Sequence, residues 1–200
     1  MRNMGDSFKK ESRYEIRIAG SGGQGIILAG IILAEAAISE GKFAAHSQNY
    51  GPEARGGTSV SEVVLSGDEI DYPQAVKLDL LLALTQTACD RNLPDMKPEG
   101  LVIVDSELVK RILWGKVVRL PFLRMAQERG RERAINMAAL GALAAFCPLI
   151  SRRSLRRAII KKLSSEKVEV NLLAFDEGLK LARRLRKSLK FVETSEEFEI

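Results

Sequence analysis

From residue 14 onward, polar and apolar positions first alternate, then merge into solid apolar runs, and finally take up a helical period. Tyr14-Glu15-Ile16-Arg17-Ile18-Ala19 alternates and then turns apolar, as a first β-strand does. Gly20-Ser21-Gly22-Gly23-Gln24-Gly25 follows at once. From Ile26 to Glu40 the chain is apolar and alanine-rich with one internal glycine, Gly30, which predicts a buried helix ended by Gly41 at a C′ position. Phe43 to Asn49 reads as a second strand. The opening is therefore expected to be a βαβ unit with parallel strands and a right-handed crossover.

Thr58 to Ser66 reads as a third strand that ends in the turn signal Ser66-Gly67-Asp68, and Glu69-Ile70-Asp71-Tyr72 is expected to pair with it as a hairpin. Leu80 to Leu84 is a continuous apolar run suited to a central parallel strand. A short helix over Gln86–Asn92, a loop between Pro94 and Pro98, a buried strand over Leu101–Asp105 and a short strand over Val117–Leu120 complete the sheet. Beyond Leu123 the period is helical, with helices predicted over Ala134–Phe146, over Ser154–Leu163 with Ser154 as N-cap, and over Val170–Lys187. The fold class expected is α/β. It comprises a single Rossmann-like open sheet, mostly parallel with an antiparallel hairpin, helices on both faces and a helical C-terminal part. One domain is expected over 13–190, between a ragged polar tail at 1–12 and an acidic tail at 191–200.

Composition narrows the function classes. With 46% hydrophobic and 28% charged residues the chain reads as globular, and no apolar run reaches the ~20 residues of a membrane helix. The polar N-terminus has no apolar signal segment. Two cysteines, Cys89 and Cys147, make no disulfide framework, fit a reducing cytoplasm, and are too few for a four-thiolate iron–sulfur cluster. His46 is the only histidine, too few for a histidine-based metal cluster, and it is expected as a strand-end residue, not as a catalyst. Charge is unevenly placed. Residues 1–100 hold 10 Lys+Arg against 14 Asp+Glu, whereas 101–200 hold 21 against 12. The basic excess lies in 152–162 and 180–190, as a solvated helix face or a contact for an anionic partner. Stacking aromatics are missing beside those charges, so nucleic-acid binding is not expected.

Gly20-x-Gly22-x-x-Gly25 between a strand and a helix has the form of a phosphate-binding turn, in which backbone N–H groups and a helix N-terminus face an anion. The acidic residue that a dinucleotide site wants at the next strand end is missing from Ala45-His46-Ser47-Gln48-Asn49, so classical NAD binding is disfavoured. The alternatives are a phosphate site and a structural glycine turn. A second candidate is Tyr50-Gly51-Pro52-Glu53-Ala54-Arg55-Gly56-Gly57, which holds three glycines, a proline and two charges within eight residues. There Arg55 either clamps an anion or pairs with Glu53 or Glu62. Asp105, at a strand's carboxyl end, is either a ligand residue or an N-cap. Cys89 and Cys147 read as small core residues.

Gly20-Ser-Gly-Gly-Gln-Gly-Ile26, Ile32-Leu-Ala-Glu-Ala-Ala37, Tyr50-Gly-Pro-Glu-Ala-Arg-Gly-Gly-Thr-Ser59, Ser61-Glu-Val63, Ile70-Asp-Tyr-Pro73, Leu82-Ala-Leu-Thr-Gln86 and Asn136-Met137, in that order, resemble the γ subunit of 2-oxoacid:ferredoxin oxidoreductases. The likeness covers about residues 14 to 180. Its Tyr-Gly-Pro-Glu-Ala-Arg-Gly-Gly form is most similar to the 2-oxoglutarate enzymes, with pyruvate and branched-chain 2-oxoacid enzymes open. The resemblance implies one subunit of a complex that oxidatively decarboxylates a 2-oxoacid to an acyl-coenzyme A and reduces ferredoxin. Thiamine diphosphate and the iron–sulfur clusters are expected in partner subunits of α, β and δ type, and no catalytic residue or metal ligand in this chain. Gly22, Gly23, Gln24 and Gly25 are expected at a coenzyme A phosphate. Tyr50, Gly51, Pro52, Glu53, Arg55, Gly56 and Gly57 are expected to face the thiamine-bearing partner. The alternative is a docking subunit with no ligand of its own.

Overall fold

A computed structural model describes residues 13–50, 57–128 and 134–193. The expected tail at 1–12, loop residues 51–56 and the end of the acidic tail, 194–200, lie outside the described residues. The elements are β1 (Tyr14–Ser21), α1 (Ile26–Ile38), β2 (Phe43–Tyr50), β3 (Thr58–Ser66), β4 (Leu78–Ala83), α2 (Gln86–Asn92), β5 (Met96–Asp105), β6 (Val117–Leu120), α3 (Phe122–Glu128), α4 (Ile135–Phe146), α5 (Arg152–Lys162) and α6 (Ser165–Glu193). They form one six-stranded sheet in the order β2-β3-β1-β4-β5-β6. The strands β1, β4, β5 and β6 pair in parallel, while β3 runs antiparallel to both of its neighbours.

That arrangement sharpens one expectation and corrects another. β2 runs in the direction of β1, as expected of a βαβ opening, with β3 inserted between them, so α1 crosses over one strand. Glu69–Tyr72 is not a strand, because both edges of β3 are already paired. The hairpin partner of β3 is β2, with Tyr50 opposite Ser59 and Phe43 opposite Ser66. Alternation fixed where the strand lies; the long-range pairing chose its neighbour.

Smaller boundary differences have local causes. Pro98 falls inside β5, not in a loop before it. Between Leu78↔Met96 and Leu80↔Leu101 four residues of β5 stand against one of β4, and Pro98, which has no N–H for a ladder, sits in that excursion. Ser151, not Ser154, caps α5: the Ser151 hydroxyl accepts from Ser154 N at 3.2 Å. α1 ends at Ile38, and Gly41 follows at φ +80°. α6 begins at Ser165, earlier than the apolar stripe suggested. His46 lies within β2, not at its end.

Two apolar layers cover the sheet. Ile16, Ile18, Val63, Leu65, Leu80 and Leu82 pack under α1 and the C-terminal helices, with Phe122, Phe175 and Leu140 fully buried among them. Ala19, Val64, Leu81 and Ala83 face α2, and the segments around Ala75 and Val109 close the same face. Where α4 crosses α6, a Cβ on Gly178 would stand 1.9 Å from Ala138 O and one on Gly141 would stand 2.0 Å from Phe175 O. Only bare glycine backbone permits so close an approach.

The second face also holds charge. Arg17, 7% exposed, donates from Nε to Glu62 at 2.9 Å, from Nη1 to Asn92 at 3.1 Å and to Asp95, and from Nη2 to the Ala75 carbonyl at 3.2 Å. Glu15 accepts from the backbone N–H of Val76 and of Lys77, the latter at 2.8 Å, which holds the connecting segment across the strand ends. These groups lie where the parallel sheet starts, away from the glycine loop. Arg17→Met would leave the Glu62 carboxylate inside without its cation, and is expected to lower the unfolding free energy by about 3 kcal/mol in urea titrations.

His46 Nε2 lies 2.8 Å from Ser61 Oγ, and burial pushes its pKa below the ordinary 6.5. The unfolded chain therefore takes up the proton more readily, and this contribution to stability, present above the ordinary value, is lost as pH falls below it. The stability difference between wild type and His46→Gln is expected to shrink from pH 7.5 to pH 5, read from urea midpoints at each pH. A difference independent of pH would remove His46 from the acid response.

Candidate functional site

The successive helices α1 and α2 leave β1 and β4 on opposite faces of the sheet. Between the carboxyl ends of two neighbouring parallel strands with that arrangement a crevice must open, the place where open α/β sheets bind ligands. Here β1 and β4 are neighbours, Leu84 N donates to Ala19 O at 2.9 Å, and the loop Gly20–Gly25 forms the crevice lip.

The loop is built from its glycines. Gly25 is the N-cap of α1 at φ +71° with no side-chain cap on the helix. A Cβ there would stand 2.3 Å from Asn136 Nδ2, which donates to Gly25 O at 3.0 Å. Gly23 takes φ +90° at an exposed apex with open space where a Cβ would be. Among the described residues no acceptor meets the N–H of Gly23 or Gly25. An uncapped helix N-terminus beside such donors is favourable for an anion.

The other two residues expected at a phosphate have internal partners. Gly22 N donates to Gly57 O at 2.9 Å. The Gln24 side chain folds back so that its Oε1 accepts from Ser21 N at 2.7 Å, and Gln24 N donates to Ser21 O at 3.2 Å. Gly22 and Gln24 thus brace the loop, while Gly23 and Gly25 leave donors open.

The second stretch meets the first. β3 begins at Thr58 opposite Ser21, and the Gly22–Gly57 bond continues that pairing one residue beyond the strands. Tyr50 ends β2. Gly51, Pro52, Glu53, Arg55 and Gly56 lie outside the described residues. Glu62, considered as a partner for Arg55, is held by Arg17 at 2.7 Å and by Ser47 Oγ at 3.0 Å.

Asp105 turns out to be a connector, fully buried. Its Oδ1 accepts from Glu107 N and Leu108 N, both at 2.8 Å, and its Oδ2 from Leu123 N at 2.7 Å in the first turn of α3. No helix starts after it, so it is not the helix N-cap the sequence suggested; its carboxylate ties the turn after β5 to the start of α3. Cys89 and Cys147 are buried, and burial pushes both thiols up to about 11, the behaviour of inert core residues. Among the described residues no cluster of His, Cys, Asp or Glu is placed to hold a metal ion, and no helix is long and apolar enough to cross a membrane.

Residue-by-residue reading of the sequence missed two groups. Asn136 is 4% exposed on an otherwise apolar helix, and a buried amide demands partners. That demand was the available signal, although Gly25 lies 111 positions away. Arg91 Nη1 donates to Thr58 Oγ1 at 2.8 Å, which puts a cation beside the start of β3, and nothing in its helical context marked it.

Comparison with known proteins agrees with this geometry. Residues 15–181 match the family described as pyruvate ferredoxin/flavodoxin oxidoreductase. The 2-oxoglutarate synthase subunit KorC of Methanocaldococcus jannaschii is 43% identical over 179 residues, covering 86% of this chain and 96% of that protein. The crystal structure of the keto/oxoacid ferredoxin oxidoreductase γ subunit of Geobacter sulfurreducens is 43% identical with TM-score 0.78, covering 86% of this chain and 97% of that one. The 2-oxoglutarate:ferredoxin oxidoreductase of Magnetococcus marinus, solved with 2-oxoglutarate, coenzyme A and succinyl-CoA bound, is 28% identical with TM-score 0.78, covering 88% of this chain and 32% of that one. The motifs, the sheet order and these matches coincide, and the chain belongs to the pyruvate ferredoxin/flavodoxin oxidoreductase family.

Proposed function

We propose that the chain is the γ subunit of a multi-subunit, coenzyme A-acylating 2-oxoacid:ferredoxin oxidoreductase whose 2-oxoacid is 2-oxoglutarate. The observation that carries the reading is the junction of the two glycine-rich stretches through Gly22 N and Gly57 O at the crevice between β1 and β4. It joins an anion-receptive turn to the loop that resembles the partner-facing loop of this family. The names of the similar proteins support the substrate assignment.

In this reading the open donors at Gly23 and Gly25, with the uncapped end of α1, receive a phosphate of coenzyme A, while Gly22 and Gln24 hold the turn in shape. Coenzyme A supplies the thiol that takes the acyl group; this chain orients the carrier and contributes no general base. Thiamine diphosphate and the iron–sulfur clusters belong to α-, β- and δ-type partner subunits, since two cysteines are half of a usual cluster set. The complex delivers electrons to ferredoxin. The cytoplasmic assignment is supported by the two cysteines, which make no disulfide framework. The domain is read as 13–190, with both glycine-rich motifs toward its N-terminal end.

A docking subunit without its own ligand is the second reading, and the internal hydrogen bonds of Gly22 and Gln24 favour it. Gly23→Asp and Gly23→Asn separate the two. Both side chains enter the same open space at the same φ, so the comparison isolates the added negative charge. In the reconstituted complex, assayed by 2-oxoacid-dependent viologen reduction, Gly23→Asp is expected to raise KM for coenzyme A about tenfold over Gly23→Asn, roughly 1.4 kcal/mol. Equal KM values would leave the docking reading standing. Highest kcat/KM with 2-oxoglutarate is expected across a 2-oxoacid panel, and preference for pyruvate would overturn that assignment.

A further inference from the structure

The amino end of α5 and the second half of α6 frame a groove of about 750 Å³. It lies far from the glycine loop. α1 starts at that loop and runs thirteen residues, about 20 Å, and beyond its end Glu40 accepts from Ser151 N, the N-cap residue of α5. The Arg152 side of the groove thus lies beyond the far end of α1 from the glycine loop.

Its chemistry is one-sided. Arg152 lines it from α5, and Lys180, Arg183, Arg184, Arg186 and Lys187 line it from α6. The one carboxylate of the lining, Asp176, is already engaged by Arg156 and, at 3.5 Å, by Arg152. Arg186 donates to the Ala145 carbonyl at 2.6 Å, which ties that side chain to the end of α4. Among the described residues Lys180, Arg183, Arg184 and Lys187 have no carboxylate within ion-pair distance. The stretches 152–162 and 180–190 together carry twelve Lys or Arg and not one Asp or Glu. A merely solvated helix face usually mixes both signs, because alternating charges avoid self-repulsion.

Shape indicates the kind of partner. Lys180, Arg183, Arg184 and Lys187 follow an i, i+3, i+4, i+7 stripe, about 10 Å of helix axis, and each is exposed. A pocket for a small anion needs donors that converge in a desolvated space, whereas this row is extended and wet, with Leu179 buried beneath it. An acidic surface of another protein chain matches the row in charge and in length.

We infer that this groove docks an acidic face of another subunit of the oxidoreductase, and that its cations, which have no carboxylate partner among the described residues, steer that subunit into place. The inference rests on the assignment of the chain to a multi-subunit complex. Rim charges of this kind act mainly on the association rate and its salt dependence.

The test uses the full chain and the complex assembled without it, with association followed by biolayer interferometry at 50 and 300 mM salt. Lys180→Glu/Arg184→Glu is expected to slow association at low salt about tenfold and to flatten its salt dependence, with an unchanged thermal midpoint as the folding control. A second pair, Arg183→Glu/Lys187→Glu, should do the same if the first pair unfolds. Unchanged rates and salt dependence in the folded variants would overturn the inference. If wild type lacking 194–200 associates tenfold faster than the full chain, the acidic tail of this chain is the occupant, and that too overturns it. If wild type fails to join the complex at all while the glycine-loop assay shows no role in it, the assignment to the complex fails, and the inference falls with it.

Discussion

Everything at the candidate site depends on β3 lying antiparallel between β2 and β1. The register that sets Thr58 opposite Ser21 brings the end of one glycine-rich stretch against the middle of another that precedes it by some thirty residues. Once this register is set, the Gly22–Gly57 hydrogen bond follows from ordinary strand geometry, extending the ladder by one step. A slip of one residue would turn Val63 and Leu65 out of the α1 layer and Glu62 away from Arg17, so hydrophobic burial and the buried ion pair enforce the same alignment. The crevice is accordingly held in place by the core.

The layers divide the work between rigidity and reception. On the face of α1 the cover is apolar and closely packed, down to helices in contact through bare backbone at Gly141 and Gly178. On the face of α2 the cover combines apolar side chains with Arg17, Glu15 and their partners, which secure irregular segments that cannot bury enough carbon to hold themselves. Gln86 contributes in the same manner, its Oε1 accepting from Lys110 N and Arg111 N at 2.9 and 3.1 Å. Polar side chains on that face substitute for missing secondary structure.

Much of this was legible in the sequence wherever local chemistry decides. The helix Gln86–Asn92 is found where predicted because Thr85 caps it, and the glycine turn stands between strand and helix because Gly23 and Gly25 alone tolerate the required φ. Legibility ended where the decision was between distant partners. Alternation at Thr58–Ser66 describes a half-buried strand equally well whichever neighbour it takes, and the short stretch at Glu69–Tyr72 was simply nearer than Phe43–Tyr50. Ser151 and Ser154 are equally good caps by composition; Ser151 prevails because α5 starts one residue after it. The bracing role of Gln24 was hidden for a different reason. A side chain that folds back on its own loop has the same sequence signature as one that reaches a ligand.

The crossing of α4 and α6 has a mechanical side. With no side chain between the two backbones at Gly141 and Gly178, the Phe175 and Ala138 carbonyls lie where a Cβ would stand, so the two helices pack backbone to backbone like a single beam. One end of that beam is Asn136, fastened by a hydrogen bond to Gly25 in the turn at the crevice; further along it is the cationic row of α6. The glycine crossing is thus the packing contact between the helix that holds the lip of the crevice and the helix that carries the row.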